Sequence, residues 1–225
     1  MNYTVLSPIM RIRVQGMSLI TLILVLTCST SYGQEEFGLF DHAIDIGPVL
    51  HKGTTSFNPH TGSYELSGAG ANIWFAKDEL HFTYKKLNGD FRLETEGHLI
   101  GEGVDTHRKF GWMVRVGLDT SAVMIAAAVH GDGLTSIQFR KQEGGNVEEV
   151  KSTMVMPNKI HLERRGRSFF ISVAHDGEPF WTVEIPDLDF PEEVYAGLFI
   201  CSHNAEVVER VEFENVGIVY TEKNK

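Results

Sequence analysis

The sequence predicts an all-β chain, a two-sheet antiparallel β-sandwich preceded by a signal peptide. Three observations predict it. Apolar and polar residues alternate with a period of two in one segment after another between Leu80 and Tyr220. Turn signals such as Asn88-Gly89, Gly131-Asp132-Gly133, Arg165-Gly166 and Asp176-Gly177 separate these segments. No stretch sustains a helical period for more than a turn, and no internal repeat is present. About a dozen short strands at this spacing fit a sandwich.

Met1–Gly33 is a targeting segment. Arg11 and Arg13 form a basic start, Leu19–Leu26 (LITLILVL) is an apolar run too short to span a bilayer comfortably, and Ser31-Tyr32-Gly33 places small residues before Gln34. Cleavage is expected before Gln34, giving a secreted or periplasmic domain over 34–225 that is not transmembrane. Initiation at Met10 or Met17 is an alternative start. Lipidation at Cys28 is the lesser alternative to cleavage, because Thr27 precedes the cysteine where a smaller residue is favoured.

The chain has 225 residues, 42% of them hydrophobic, with 14 Phe and 3 Trp, enough for a sizeable core. Its formal charge is −10, and it becomes −12 without the leader, which carries two arginines and no acid. That balance argues against nucleic acid and anionic membrane surfaces as partners. Only Cys201 remains after cleavage. It lies in the apolar run Val194–Ser202 and reads as a buried thiol without a disulfide partner.

Along the chain, Gln34–Thr55 holds an edge strand and a loop, Asn58–Gly62 is a turn cluster, and Tyr64–Ser67 is a short strand before the tight bend Gly68–Ala71. Leu80–Lys86 and Phe91–Leu99 alternate on either side of Asn88-Gly89, which predicts a hairpin. Gly101–Lys109 reads as a loop. Val147–Val150, Ile160–Arg164, Ser168–Ala174 and Phe180–Ile185 are further strands. Val194–Ser202 is apolar enough for a central one, and Glu206–Tyr220 closes the chain.

The stretch Phe110–Arg140 carries most of the polar side chains without an obvious structural duty. In it, Trp112, Val114 and Val116 oppose Met113 and Arg115; Ile125, Ala127 and Val129 oppose Ala126, Ala128 and His130; Ile137 and Phe139 oppose Ser136, Gln138 and Arg140. Matching the apolar faces across the Gly131–Thr135 loop sets His130 opposite Ser136, Ala128 opposite Gln138 and Ala126 opposite Arg140. The polar side then has an alanine floor and long donors as walls. It reads either as a ligand-binding face or as a solvated one whose arginines pair with nearby Glu.

The blocks Gly68–Trp74 (GAGANIW), Asp90–Glu96 (DFRLETE), Gly111–Arg115 (GWMVR), Ala128–Arg140 (AVHGDGLTSIQFR), His161–Arg165 (HLERR), Val194–His203 (VYAGLFICSH) and Phe213–Val219 (FENVGIV) resemble DUF1349-type, concanavalin A-like jelly-roll domains. Such domains occur in bacteria as secreted single domains and appended to TolB-like propellers. The resemblance covers roughly Phe37 to Tyr220 and is most specific at HGDGLTSIQFR. It implies two antiparallel sheets with one concave face. It does not imply a settled activity, since related sandwiches bind or cleave glycans.

The leading expectation is non-catalytic carbohydrate binding on that face. Candidate ligand-binding residues are Trp74, Arg115, His130, Asp132, Gln138, Arg140 and His203. Trp74 would offer a stacking edge and the others hydrogen bonds; Asp132 has turn formation as its simpler duty. The alternatives are a glycan-active hydrolase using the same face or an envelope protein-interaction module, so catalysis stays open. No convincing acid pair for hydrolysis stands out, because Glu94 and Glu96 share their face with Arg92 and His98. His130 and Asp132 lack a third metal ligand at useful spacing. No cofactor is called for, though sandwiches of this class can hold a structural Ca²⁺ through loop oxygens.

Overall fold

The computed structural model describes residues 37–221, so the leader with its cleavage site and Cys28 lies outside the described residues. These residues form fourteen strands: β1 (His42–Ile46), β2 (Thr54–Asn58), β3 (Ser63–Gly68), β4 (Leu80–Asn88), β5 (Phe91–Ile100), β6 (Lys109–Arg115), β7 (Met124–His130), β8 (Thr135–Arg140), β9 (Glu148–Lys151), β10 (Lys159–Arg165), β11 (Ser168–Ala174), β12 (Trp181–Ile185), β13 (Glu193–Cys201) and β14 (Glu209–Tyr220). They contain no helix, and so none long and apolar enough to cross a membrane.

Two seven-stranded antiparallel sheets result. The first runs β1-β4-β13-β6-β7-β8-β9, the second β12-β11-β10-β5-β14-β3-β2. The period-2 pattern decides which side chains meet between them. Trp112, Val114, Ile125, Ala127, Val129, Ile137 and Leu198 from the first sheet pack on Leu66, Phe91, Leu93, Leu162, Phe169, Ile171 and Phe213 from the second. Strands of the sheet centre, such as β13, are apolar on both faces and buried on both. The edge strands β1, β2, β9 and β12 are short and partly exposed, as expected of strands that must not template further pairing.

Two sequence expectations are corrected. Asn88-Gly89 does not close a hairpin: β4 pairs with β1 and β13, whereas β5 pairs with β10 and β14. The turn is a corner between sheets. Leu87 before it and Phe91 after it are both buried in the shared core, so the chain satisfies both by crossing from one sheet to the other. Gly89 supplies the left-handed backbone (φ +73°), and its N–H donates to the Glu192 carbonyl at 3.2 Å.

The second correction is to the β7–β8 register. Met124 faces Arg140, Ala126 faces Gln138 and Ala128 faces Ser136, two residues from the expected pairing. The His130 N–H donates to the Leu134 carbonyl at 2.8 Å, and Val129 pairs with Thr135. The turn is therefore tighter than expected and Thr135 belongs to the strand. A two-residue slip leaves every side chain on its expected face, so face matching alone could not detect it.

Candidate functional site

The outer face of the first sheet, the one turned away from the second sheet, carries the polar side chains of β6, β7 and β8. The structure divides it into a closed end and an open end. At the closed end the face is covered by a second, smaller core of Ile46, Ile73, Leu80, Phe82, Met113, Met124, Ala126, Val147 and Phe199. Ile73 comes from the β3–β4 loop and Val147 from the β8–β9 loop. Ala126 and Ala128 thus lie within packed structure and do not form an open floor.

Arg115 and Arg140 lock this cover in place. Both are 0% exposed, as is Asp78 in the β3–β4 loop. Arg115 donates to Asp78 Oδ2 at 2.6 Å, and Arg140 donates to Asp78 Oδ1 at 2.6 Å and Oδ2 at 2.9 Å. The remaining guanidinium donors reach loop carbonyls: Gly117 and Asp119 for Arg115; Phe75, Ala122 and Gly145 for Arg140. One carboxylate and two rigid forks therefore pin three loops to the sheet. Burial pulls the Arg115 pKa below its ordinary value, with Asp78 opposing that shift. These two arginines were expected to line a ligand site, and the structure places them beneath the covering loops with every guanidinium nitrogen engaged.

The open end is a groove of about 270 Å³, lined by Asn72, Trp74, His107, Lys109, His130, Leu134, Gln138, Glu149, Lys151 and His203. Of the candidate residues, Trp74, His130, Gln138 and His203 meet here. Asp132 does not line it. It is exposed, and its Oδ1 accepts from the Leu134 N–H at 2.9 Å, a turn-forming bond.

The hydrogen bonds of the groove floor define its protonation. His130 Nδ1 lies 2.8 Å from the Leu134 carbonyl, which can only accept, so Nδ1 carries the proton and Nε2 presents a lone pair. Burial, reinforced by the nearby Lys109 charge, lowers the His130 pKa to about 4, so the ring is neutral near pH 7. Lys109 Nζ donates to Asn72 Oδ1 at 3.1 Å and to Gln138 Oε1 at 3.4 Å. Because an ammonium only donates, Gln138 turns its oxygen to Lys109 and its NH₂ to Glu149 Oε1 at 3.3 Å and His130 Nε2 at 3.5 Å. Lys109 is 2% exposed and forms no ion pair with any described residue. Burial lowers its pKa, partly offset by the more distant Cys201 and Glu149.

His107 and His203 form one wall, with ring centroids 5.4 Å apart; His107 also approaches His130, at 6.1 Å. His203 adopts a left-handed backbone (φ 57°) just past the end of β13, which breaks the strand alternation and turns its ring toward this wall. Its Nδ1 is 3.3 Å from Asp105 Oδ1, within ion-pair distance but without hydrogen-bond alignment. A buried Arg108–Glu209 pair at 2.6 Å holds the loop that carries His107. No cluster among the described residues has the geometry to hold a metal. Cys201, paired in register with Lys109, is buried and its thiol pKa is pushed up to about 11 by burial, so it is an inert thiol at neutral pH.

Sequence reasoning missed Asn72, His107, Lys109, Glu149 and Lys151. For Lys109 the signal was present: extending the β6 alternation one step back places Lys109 with Gly111, Met113 and Arg115. Glu149 and Lys151 face Gln138 and Ser136 across the β8–β9 pair. Asn72 and His107 lie in loops, where no periodicity reports direction.

A second cavity of about 340 Å³ borders the opposite side of His130 and is lined by Gly97, Leu99, Phe110, Val129 and Met156 among others. His98, Arg108 and Asn158 are its other polar residues, and the Arg108 guanidinium there is committed to Glu209 and the Gly101 carbonyl.

No family model matches the chain, and no curated protein matches it. Solved structures do. A functionally unknown protein from Saccharomyces cerevisiae aligns with a TM-score of 0.59 at 14% identity over 76% of this chain and 97% of its own. Lectin II from Ulex europaeus aligns with a TM-score of 0.52 at 10% identity, over 81% and 100%. A family 7 alginate lyase in complex with product aligns at 0.52 with 7% identity, over 74% and 83%. At these identities the likeness concerns fold alone, and it shows that the chain is a jelly-roll sandwich of the concanavalin A-like kind.

Proposed function

We propose that this chain is a non-catalytic carbohydrate-binding domain whose site is the groove around Lys109, His130 and Gln138. The observation that carries the reading is that groove: oriented donors and acceptors at its floor and an indole at its side. Sugars need this combination, with CH groups against an aromatic face and hydroxyls on fixed polar partners. Trp74, His130, Gln138 and His203 keep their candidate roles; Asn72, His107, Lys109, Glu149 and Lys151 join them. The volume is small for a ligand site, which suits one or two sugar units held weakly. Two neighbours in fold support the reading by analogy, since a lectin of this architecture was solved with galactose and the alginate lyase with its product. Kinship with DUF1349-type domains and a secreted or periplasmic location complete the proposal, the latter on the strength of the leader sequence.

The chemistry of the floor favours binding over hydrolysis. Two-carboxylate glycoside hydrolysis needs an acid and a base or nucleophile on either side of the bond. Glu149 is the sole carboxylate among the described groove residues. A histidine with a pKa of about 4 is also a weak base at neutral pH. The test is a glycan array followed by calorimetry on the protein and on Trp74→Ala. Binding that weakens at least tenfold in the variant, without reducing-end release, supports the proposal. A folded sample that binds no glycan sinks it and moves attention to protein partners.

A further inference from the structure

Resting on that reading, the charge pattern of the groove identifies a class of sugar. The chain as a whole is acidic, with 30 Asp and Glu against 20 Lys and Arg. The groove reverses this sign: two lysines, Lys109 and Lys151, line it against the single carboxylate of Glu149. Glu149 is not left for Lys109. It accepts from Gln138 at 3.3 Å and lies 3.8 Å from Lys151 Nζ.

Lys109 is therefore the unusual group. A buried ammonium ordinarily has a carboxylate partner, because removing the charge from water is otherwise uncompensated. Arg115, Arg140 and Arg108 each have one, in Asp78 and Glu209. Lys109 has only two neutral amide oxygens, so of its three N–H donors one is unassigned. An anion entering the groove would meet this donor.

We infer that the groove selects an acidic saccharide, its singly charged carboxylate or sulfate ester seated on Lys109 with the sugar ring against Trp74. One unpaired cation matches one negative charge, and a phosphate monoester, which carries up to two at neutral pH, matches it less well. The indole of Trp74 on the same groove contacts the ring, so the site recognises the acid together with the sugar that bears it.

The experiment is calorimetric titration of the protein and of Lys109→Met with galactose, galacturonate and galactose 6-sulfate, each also as a short oligomer, with sodium acetate and sodium sulfate as ion controls. The acidic sugars are expected to bind the wild type about ten- to a hundredfold tighter than galactose, the range of one charge-assisted hydrogen bond. Lys109→Met should bring that ratio close to one, weakening the acidic sugars far more than it weakens galactose. Whichever acidic sugar shows the larger ratio identifies the acid group. Equal binding of neutral and acidic sugars by the wild type, or a preference that survives in Lys109→Met, overturns the inference and leaves the carbohydrate reading intact. Absence of binding to every sugar overturns both. Binding of acetate or sulfate as tight as that of the sugars also overturns it, because the groove would then be an anion site without sugar recognition. The wild-type ratios decide the matter even where the variant folds poorly.

Discussion

At one end of the outer face, Asp78 meets two arginines and every guanidinium nitrogen is engaged; at the other, Lys109 meets only the amide oxygens of Asn72 and Gln138. Both cationic sites are buried, lie on the same strands and grow from the same alternation. The difference lies in what the loops bring. The β3–β4 loop delivers a carboxylate to Arg115 and Arg140 and so becomes part of the core. Over Lys109 the same loop delivers Asn72 and Trp74, which leave a charge unmet and a space open. A buried cation serves as a fastener where its counter-ion belongs to the chain, and as a receptor where the counter-ion must come from elsewhere.

The largest effect that could break this comparison is at Asp78. Asp78→Ala leaves two guanidiniums buried without a carboxylate and should cost about 3–5 kcal/mol, measured by urea unfolding. A loss below about 1 kcal/mol would mean that the closed end is not held by this group.

Next is the pH dependence of His130. Its folded pKa of about 4 lies below the ordinary 6.5, so the folded state disfavours the proton. The stability linked to this residue is complete above about pH 6.5 and is lost as pH falls toward 4, by up to about 3 kcal/mol. The difference in acid limb between the wild type and His130→Gln isolates it from other groups. Identical limbs would contradict a buried neutral ring.

Lys109→Met should act in the opposite sense to Asp78→Ala. Removing an ammonium that has no carboxylate partner should leave stability unchanged or raise it by about 1 kcal/mol. It should also let the His130 pKa rise, since Lys109 is its second source of depression after burial. A strongly destabilised Lys109→Met would show that this lysine is structural and that the two ends are alike. The smallest effect is at Cys201: a thiol raised to about 11 and fully buried should resist a thiol-specific alkylating reagent in the native state and react only after unfolding.

The sandwich was legible because period-2 alternation is local: each strand announces which side faces inward, and Trp112, Val114, Ile137 and Phe139 all fall where it puts them. What alternation cannot convey is which sheet or rung a strand joins. Asn88-Gly89 has hairpin chemistry yet serves as a corner, and β8 lies two residues from its expected pairing on β7 with every face preserved. The candidate site was half legible for the same reason. His130 and Gln138 were identified from their strands. The fate of Arg115 and Arg140 depended on Asp78, whose approach from a loop no periodicity encodes. A composition cue did exist. Met113 and Met124 flank these arginines, and apolar neighbours on a polar-looking face indicate guanidiniums that are covered.

The position of β13 has a consequence for the order of assembly. It lies between β4 and β6 at the centre of the first sheet, yet it is the next-to-last strand of the chain. The meander β6–β9 can pair from local contacts alone, whereas joining it to β4 must wait for a segment distant in sequence. Until Glu193–Cys201 inserts, β4 and β6 each present a free edge, and Lys109 lacks the strand that carries Cys201 beside it. Closing the sheet and completing the groove are thus the same late event, and a chain cut before Glu193 would keep His130 and Gln138 on a formed hairpin without a site around them.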